Sequence, residues 1–220
     1  HQSQNFTQPA AASPGTPLIQ IMSGLATDPS GFVAPGSLVT LSTPSASSPT
    51  YLRPTSTPSA AAPTVEVLHE IGRPQRMAVI ERWPAEAVPA DGALQKLFDG
   101  KLQAPVDRRN HKPIGPLLSK GGAFHMLKHV DVVPAGAEMA TKTLDALRAS
   151  VMAAPGALGY ELAVQPERPN HFAIHETWAS RAAYEAWAAG KDSQALRAQL
   201  ATVKGALFDD RFYVAAGQGK

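Results

Sequence analysis

The sequence contains no cysteine, which excludes disulfides, thiolate metal sites and cysteine nucleophiles together. It also has no uninterrupted run of about 18 apolar residues, so no transmembrane helix is expected. Charge of either sign is scarce: 20 Lys+Arg stand against 18 Asp+Glu in 220 residues, a formal net charge of +2. The sequence pI near 8.9 therefore reflects a near balance and gives no support to a nucleic-acid partner. The scarcity is uneven. Residues 1–64 hold only two formally charged side chains, Asp28 and Arg53, together with 10 of the 20 prolines and 20 Ser and Thr. Such a stretch buries little, and the globular part is expected to begin near Val65. Leu18–Met22 and Ser37–Leu41 are short apolar segments that can lend it strands. The chain starts at His1; a processing scar is expected there rather than a copper-chelating histidine, because nothing fixes a second imidazole beside it. The polar leader suits an exported bacterial protein and a cytoplasmic one equally.

What the sequence does have is an internal repeat. VEVLHEIGRPQRMAVIERW at 65–83 aligns without a gap on YELAVQPERPNHFAIHETW at 160–178, an offset of 95. Glu66 falls on Glu161, Arg73-Pro74 on Arg168-Pro169, Glu81 on Glu176 and Trp83 on Trp178. A second block, Ala104-Pro-Val-Asp107-Arg-Arg109 against Ala206-Leu-Phe-Asp209-Asp-Arg211, follows at offset 102. Two unequal copies of one module are expected: a leader over 1–16, a degenerate first module over 17–116, a complete second module over 117–216 and a tail over 217–220.

The second copy reads as β-α-β-β-α-β. Phe124–Val133 is strand-like and is stopped by Pro134. Glu138–Met152 has helical apolar spacing and ends at Pro155-Gly156. Tyr160–Val164 and His171–Trp178 form an antiparallel pair around a turn at Pro166–Pro169. Ser180 caps a helix over Arg181–Ala189, Gln194–Val203 makes another, and Phe208–Val214 closes the module. This is the ferredoxin-like order. One sheet face carries helices and the other stays uncovered, so a second copy in the same chain can close an α+β barrel.

The runs Arg168-Pro-Asn-His-Phe-Ala-Ile-His-Glu-Thr-Trp178, Ser180-Arg-Ala-Ala-Tyr184-Glu-Ala and Gly205-Ala-Leu-Phe-Asp-Asp-Arg-Phe-Tyr213 resemble the antibiotic-biosynthesis monooxygenase family, as does His129–Pro134. The resemblance spans most of 122–215 and is partial over 65–111. It implies a dimeric α+β barrel, here paired within one chain. It also implies oxidation of quinols or polyphenolic aromatics by O₂ without metal, flavin or any other cofactor. The expected partners are a small aromatic substrate and O₂, with no nucleic acid and no membrane; a homodimer beyond the internal pair stays open. Haem-degrading relatives need a histidine where this chain has Trp187, which argues against haem. The alternative function is a non-catalytic barrel that binds a small aromatic ligand or plays a structural part.

Alternation along 170–178 puts Asn170, Phe172, Ile174, Glu176 and Trp178 on one face and His171, Ala173, His175 and Thr177 on the other. In the resembling enzymes the first face floors the pocket, roofed here by Tyr184 and Arg197. Trp178, Tyr184, Arg197 and Asn170 are the candidate catalytic residues: a ring stacker, a phenolic donor, an anion holder and an orienting amide. Phe172, Ile174 and Glu176 are the candidate substrate contacts. Each also has a plain reading, as core aromatics, a surface cation or a carboxylate paired with Arg211. No metal is expected. The alternative donor set is His125, His129, His171 and His175, two i,i+4 pairs on strands that can be neighbours. The first copy has Pro89 where the repeat places Tyr184, and helix-interrupting Pro84 and Gly92, so it reads as a structural partner.

Overall fold

Strand-forming segments from both copies are paired around a single closed barrel in the computed structural model, which describes residues 18–25, 64–83, 107–117 and 121–215. The strands are β1 (Leu18–Leu25), β2 (Thr64–Glu70), β3 (Arg73–Trp83), β4 (Asp107–Pro113), β5 (Phe124–Asp131), β6 (Ala157–Gln165), β7 (Arg168–Trp178) and β8 (Asp209–Ala215). Between them lie α1 (Ala137–Met152), α2 (Arg181–Ala188) and α3 (Lys191–Ala201). The order around the barrel is β1-β3-β2-β8-β5-β7-β6-β4, closing through β4 and β1, and every pairing is antiparallel.

The second module contributes β8-β5-β7-β6, with its helices on the outer face; the first contributes β4-β1-β3-β2, the same order. The registers repeat as well. Leu68 pairs with Ala215 at one seam and Ala163 with Pro113 at the other, so the sequence offsets of 95 and 102 are also the offsets of the pairing. A third equivalence joins β1 to β5: Leu18 lies opposite Trp83 as Phe124 lies opposite Trp178. Each module's outer strand edges are thus paired with the other module's, which removes the exposed edges a lone four-stranded sheet would present.

Two apolar layers result. Phe124, Met126, Phe172, Ile174 and Trp178 face outward beneath Leu144, Leu147, Tyr184 and Leu200 of the helices. Ile19, Leu68, Ala78, Ile80, Leu127, Ala163, Ala173 and Tyr213 fill the barrel. Ser180 caps α2 as expected, its hydroxyl accepting from the Ala183 N–H at 3.2 Å. No helix among the described residues is long and apolar enough to cross a membrane.

Several boundaries differ from the sequence expectation. β5 ends at Asp131 because Pro134 already opens a short 3₁₀ turn, Pro134–Gly136. The β6–β7 turn is only Pro166 and Glu167, since Gln165 pairs with Arg168; Arg168 and Pro169 belong to the strand. α3 starts at Lys191 behind Gly190 and stops at Ala201. Ser37–Leu41, His1, the leader, the tail and the segment holding Pro84, Pro89 and Gly92 lie outside the described residues.

Candidate functional site

β7 presents different chemistry on its two faces, and each face meets a different set of neighbours. On the outer face Glu176 and Trp178, two residues apart, bring carboxylate and indole together: the Trp178 N–H donates to Glu176 Oε2 at 3.0 Å. Both side chains are buried. Above them lies a cavity of about 20 Å³ lined by Glu176, Tyr184, Arg197, Lys128, Trp187 and Asp210 with apolar neighbours, room for one water molecule. Lys128 is held at its edge by Asp210, at 3.1 Å.

Burial is the largest influence on the Glu176 carboxyl and pushes it up to about 7, although the Trp178 hydrogen bond and the charges of Lys128 and Arg197 favour the anion; Asp210 adds to the rise. A carboxylic acid that loses its proton near neutrality is suited to acid–base work. Burial, seconded by the Glu176 charge, pushes the Tyr184 phenol up to about 12, so it remains a donor. The Tyr184 ring packs against Phe124, Trp178, Phe212 and Trp187 with centroids 5.3–6.1 Å away.

The expected site residues divide. Tyr184, Arg197, Glu176 and Ile174 line the cavity. Trp178 is fully buried behind it and reaches it through Glu176. Phe172 is core. Asn170 is elsewhere: its amide donates to the Val132 carbonyl at 2.7 Å and ties β7 to the end of β5. The pairing of Glu176 with Arg211 is not found. On β5, Met126 stands opposite both Glu176 and Phe212, while Arg211 lies opposite Leu127; Arg211 therefore points to the other face, where it pairs with Asp209 at 2.8 Å. Lys128, Asp210 and Trp187 were not singled out for this site from sequence. Lys128 shares the outward parity of Phe124 and Met126, the signal that marks it. In place of an imidazole, Trp187 lies at the cavity, its N–H on Ser150 Oγ at 3.0 Å. No described histidine lines that cavity.

The four-histidine set is not brought together either. Residues four apart on a strand share a face but sit about 13 Å from one another. His171 pairs with Asp131 at 2.8 Å, and His129 lies beside His111 with ring centroids 6.5 Å apart. His125 and His175 do meet, inside the barrel, with Nδ1 and Nε2 3.0 Å apart. Glu66, Glu161 and Arg82 complete that interior cluster.

Fold and cavity together define a dimeric α+β barrel built within one chain, with its cavity between sheet and helices. Residues 123–199, within the second module, match the antibiotic biosynthesis monooxygenase family. The whole chain is similar in fold to a protein of Lactobacillus acidophilus named as a candidate monooxygenase: 14% identity, 91% of this chain and 94% of that one covered, TM-score 0.64. A Fusobacterium nucleatum protein named in the same way gives 7% identity, 92% and 93% coverage and TM-score 0.66. An anthrone oxidase-like protein gives 10% identity, 94% and 93% coverage and TM-score 0.60. No curated protein matches the sequence.

Proposed function

We propose that the protein is a monooxygenase that oxidises quinols or related polyphenolic aromatics with O₂ at the cavity of the second module. One observation carries this reading: a buried carboxylate, Glu176, shares a small cavity with two cations, Lys128 and Arg197, and a phenolic donor, Tyr184. Glu176 takes the proton of a substrate hydroxyl. Arg197 and Lys128 stabilise the resulting anion, and Tyr184 donates to it. The electron-rich anion passes an electron to O₂, and the radical pair combines at carbon. One oxygen atom enters the ring and the other leaves as water, the substrate supplying all four electrons. Trp178 is a positioning residue that fixes the carboxylate. An aromatic substrate is larger than a cavity of about 20 Å³, so admitting it requires α2 and α3 to move apart. The family match supports the reaction class; the residue roles rest on the geometry.

The test is O₂ consumption over a panel of quinols, with chelator and without added flavin. Glu176→Gln should lower turnover by about 10²–10⁴. Oxygen uptake that never rises above that of Glu176→Gln with any quinol would sink the enzyme reading. The tight cavity and its aromatic wall favour one second reading, a barrel that only binds a small aromatic ligand. Saturable quenching of tryptophan fluorescence by a quinol with no O₂ uptake would establish it.

A further inference from the structure

Five polar side chains from five strands converge inside the barrel: Glu66 of β2, Arg82 of β3, His125 of β5, Glu161 of β6 and His175 of β7. Their outer contacts are settled. Arg82 grips Glu161 through two nitrogens, Nε at 2.5 Å and Nη2 closer still, and Nη2 also reaches Glu66 Oε1 at 3.2 Å. His175 Nδ1 lies 2.9 Å from Glu161 Oε1, and His125 Nε2 lies 3.1 Å from the Gly122 carbonyl.

Both of those partners only accept. Glu161 is gripped by two nitrogens of the Arg82 guanidinium, the setting of a carboxylate that accepts. Of the two groups at His175 Nδ1, Glu161 at 2.9 Å is nearer than the Arg82 Nη2 at 3.3 Å, so the tautomer that serves the nearer contact has its proton on Nδ1, and His125 carries its own on Nε2 toward the Gly122 carbonyl. When both rings are neutral, His125 Nδ1 and His175 Nε2 are bare lone pairs facing each other at 3.0 Å. The rings are parallel to within 4°. Glu66 Oε2 completes a triangle, 3.8 Å from each of the two nitrogens. The point equidistant from these three atoms lies about 2.1 Å from each, the length of a Zn–N or Zn–O bond.

We propose that Glu66, His125 and His175 bind one divalent first-row cation, of the Zn²⁺ or Fe²⁺ type, inside the barrel. Two imidazoles and a carboxylate suit such an ion and leave further coordination positions for water. Glu161 on His175 and the Gly122 carbonyl on His125 are the outer hydrogen-bond partners that metal-bound histidines usually have. Two carboxylates against one guanidinium leave the cluster with an excess of negative charge for a dication. Glu66 comes from the first module and both histidines from the second, so the ion fastens the two halves of the chain. His175 and Glu176 point to opposite faces of β7, and the metal site is separate from the oxygenase cavity.

The test uses the full chain, purified without a histidine tag, stripped with chelator and titrated with Co²⁺ and Zn²⁺ near neutral pH. One equivalent of Co²⁺ should bind and give a visible ligand-field band. In the unmodified protein, one equivalent of Zn²⁺ should shift the side-chain ¹⁵N resonances of His125 and His175 and leave those of His129 and His171 in place. Glu161→Gln should weaken Co²⁺ binding about 10- to 100-fold, and the His129→Gln/His171→Gln double variant should bind as the wild type does. Absence of saturable uptake, or resonance shifts confined to other histidines, would overturn the proposal. The histidine readout needs no substitution, so it stands even if a variant fails to fold.

Discussion

The two modules share a backbone plan and differ in the chemistry placed on it. Equivalent positions follow from the registers. Glu66 matches Glu161, and Glu81 matches Glu176, each pair keeping its carboxylate. Ile19 occupies the place of His125, Ile80 that of His175, and Arg82 that of Thr177. A symmetric frame thus holds an asymmetric interior, in which one guanidinium from the first module neutralises carboxylates from both. Strand register tolerates such divergence because it depends on main-chain pairing and on the two-residue alternation of faces. A buried charge does not, because it needs one particular partner.

The largest expected effect comes from breaking that asymmetry. Arg82→Met leaves Glu66 and Glu161 without their guanidinium and should cost about 3–5 kcal/mol of stability in denaturant unfolding. Thr177→Val, at the equivalent place, should cost about 1–3 kcal/mol. Equal losses would contradict the view that the one guanidinium organises the interior charges. At the paired glutamates the contrast concerns activity. Glu176→Gln should reduce quinol turnover by about 10²–10⁴, while Glu81→Gln should leave turnover within a few-fold of the wild type.

Glu176 also sets a pH dependence of stability. Its carboxyl titrates near 7 in the folded chain, against an ordinary value of 4.5. Below the lower value it is protonated in both states and costs nothing. Between the two, the unfolded chain ionises freely and the folded chain does not, so stability falls as pH rises, by an amount on the order of 3 kcal/mol, and levels off above the folded value. In Glu176→Gln that decline should be absent, as urea midpoints measured across the interval will reveal. A decline of the same size in the variant would assign it to another group.

Much of this was legible in the sequence. The alternation of 170–178 gives the faces of Phe172, Ile174, Glu176 and Trp178, and the repeat offsets are the offsets of the pairing. The β1–β5 equivalence was hidden because its aligned residues, Ile19 and His125 among them, share only a backbone role. Arg82 and Glu161 are 79 residues apart, and nothing local encodes that partnership. Asn170 lies on the expected side of the alternation yet is used by the Val132 carbonyl just past β5. Histidine spacing gives the shared face of a strand but not the neighbour across the barrel, which is why Glu66 was absent from the four-histidine set.

The smallest expected effect sharpens the module comparison at the roof of the cavity. Ser180 caps α2 by accepting the Ala183 N–H, and the repeat places Ala85 at its counterpart. Ser180→Ala thus gives the second module the first module's residue at this point. Loss of the cap should cost about 1 kcal/mol. α2 buries little besides Tyr184, so the cost should fall on local opening of this helix rather than on the barrel. Amide exchange should quicken over Arg181–Ala188 and stay unchanged in β5–β7. Because Tyr184 rides on α2, KM for a quinol should rise while the Glu176-dependent step keeps its pH profile. Uniformly faster exchange through the barrel strands would show instead that the helix is coupled to the whole fold, and that the roof cannot open without it.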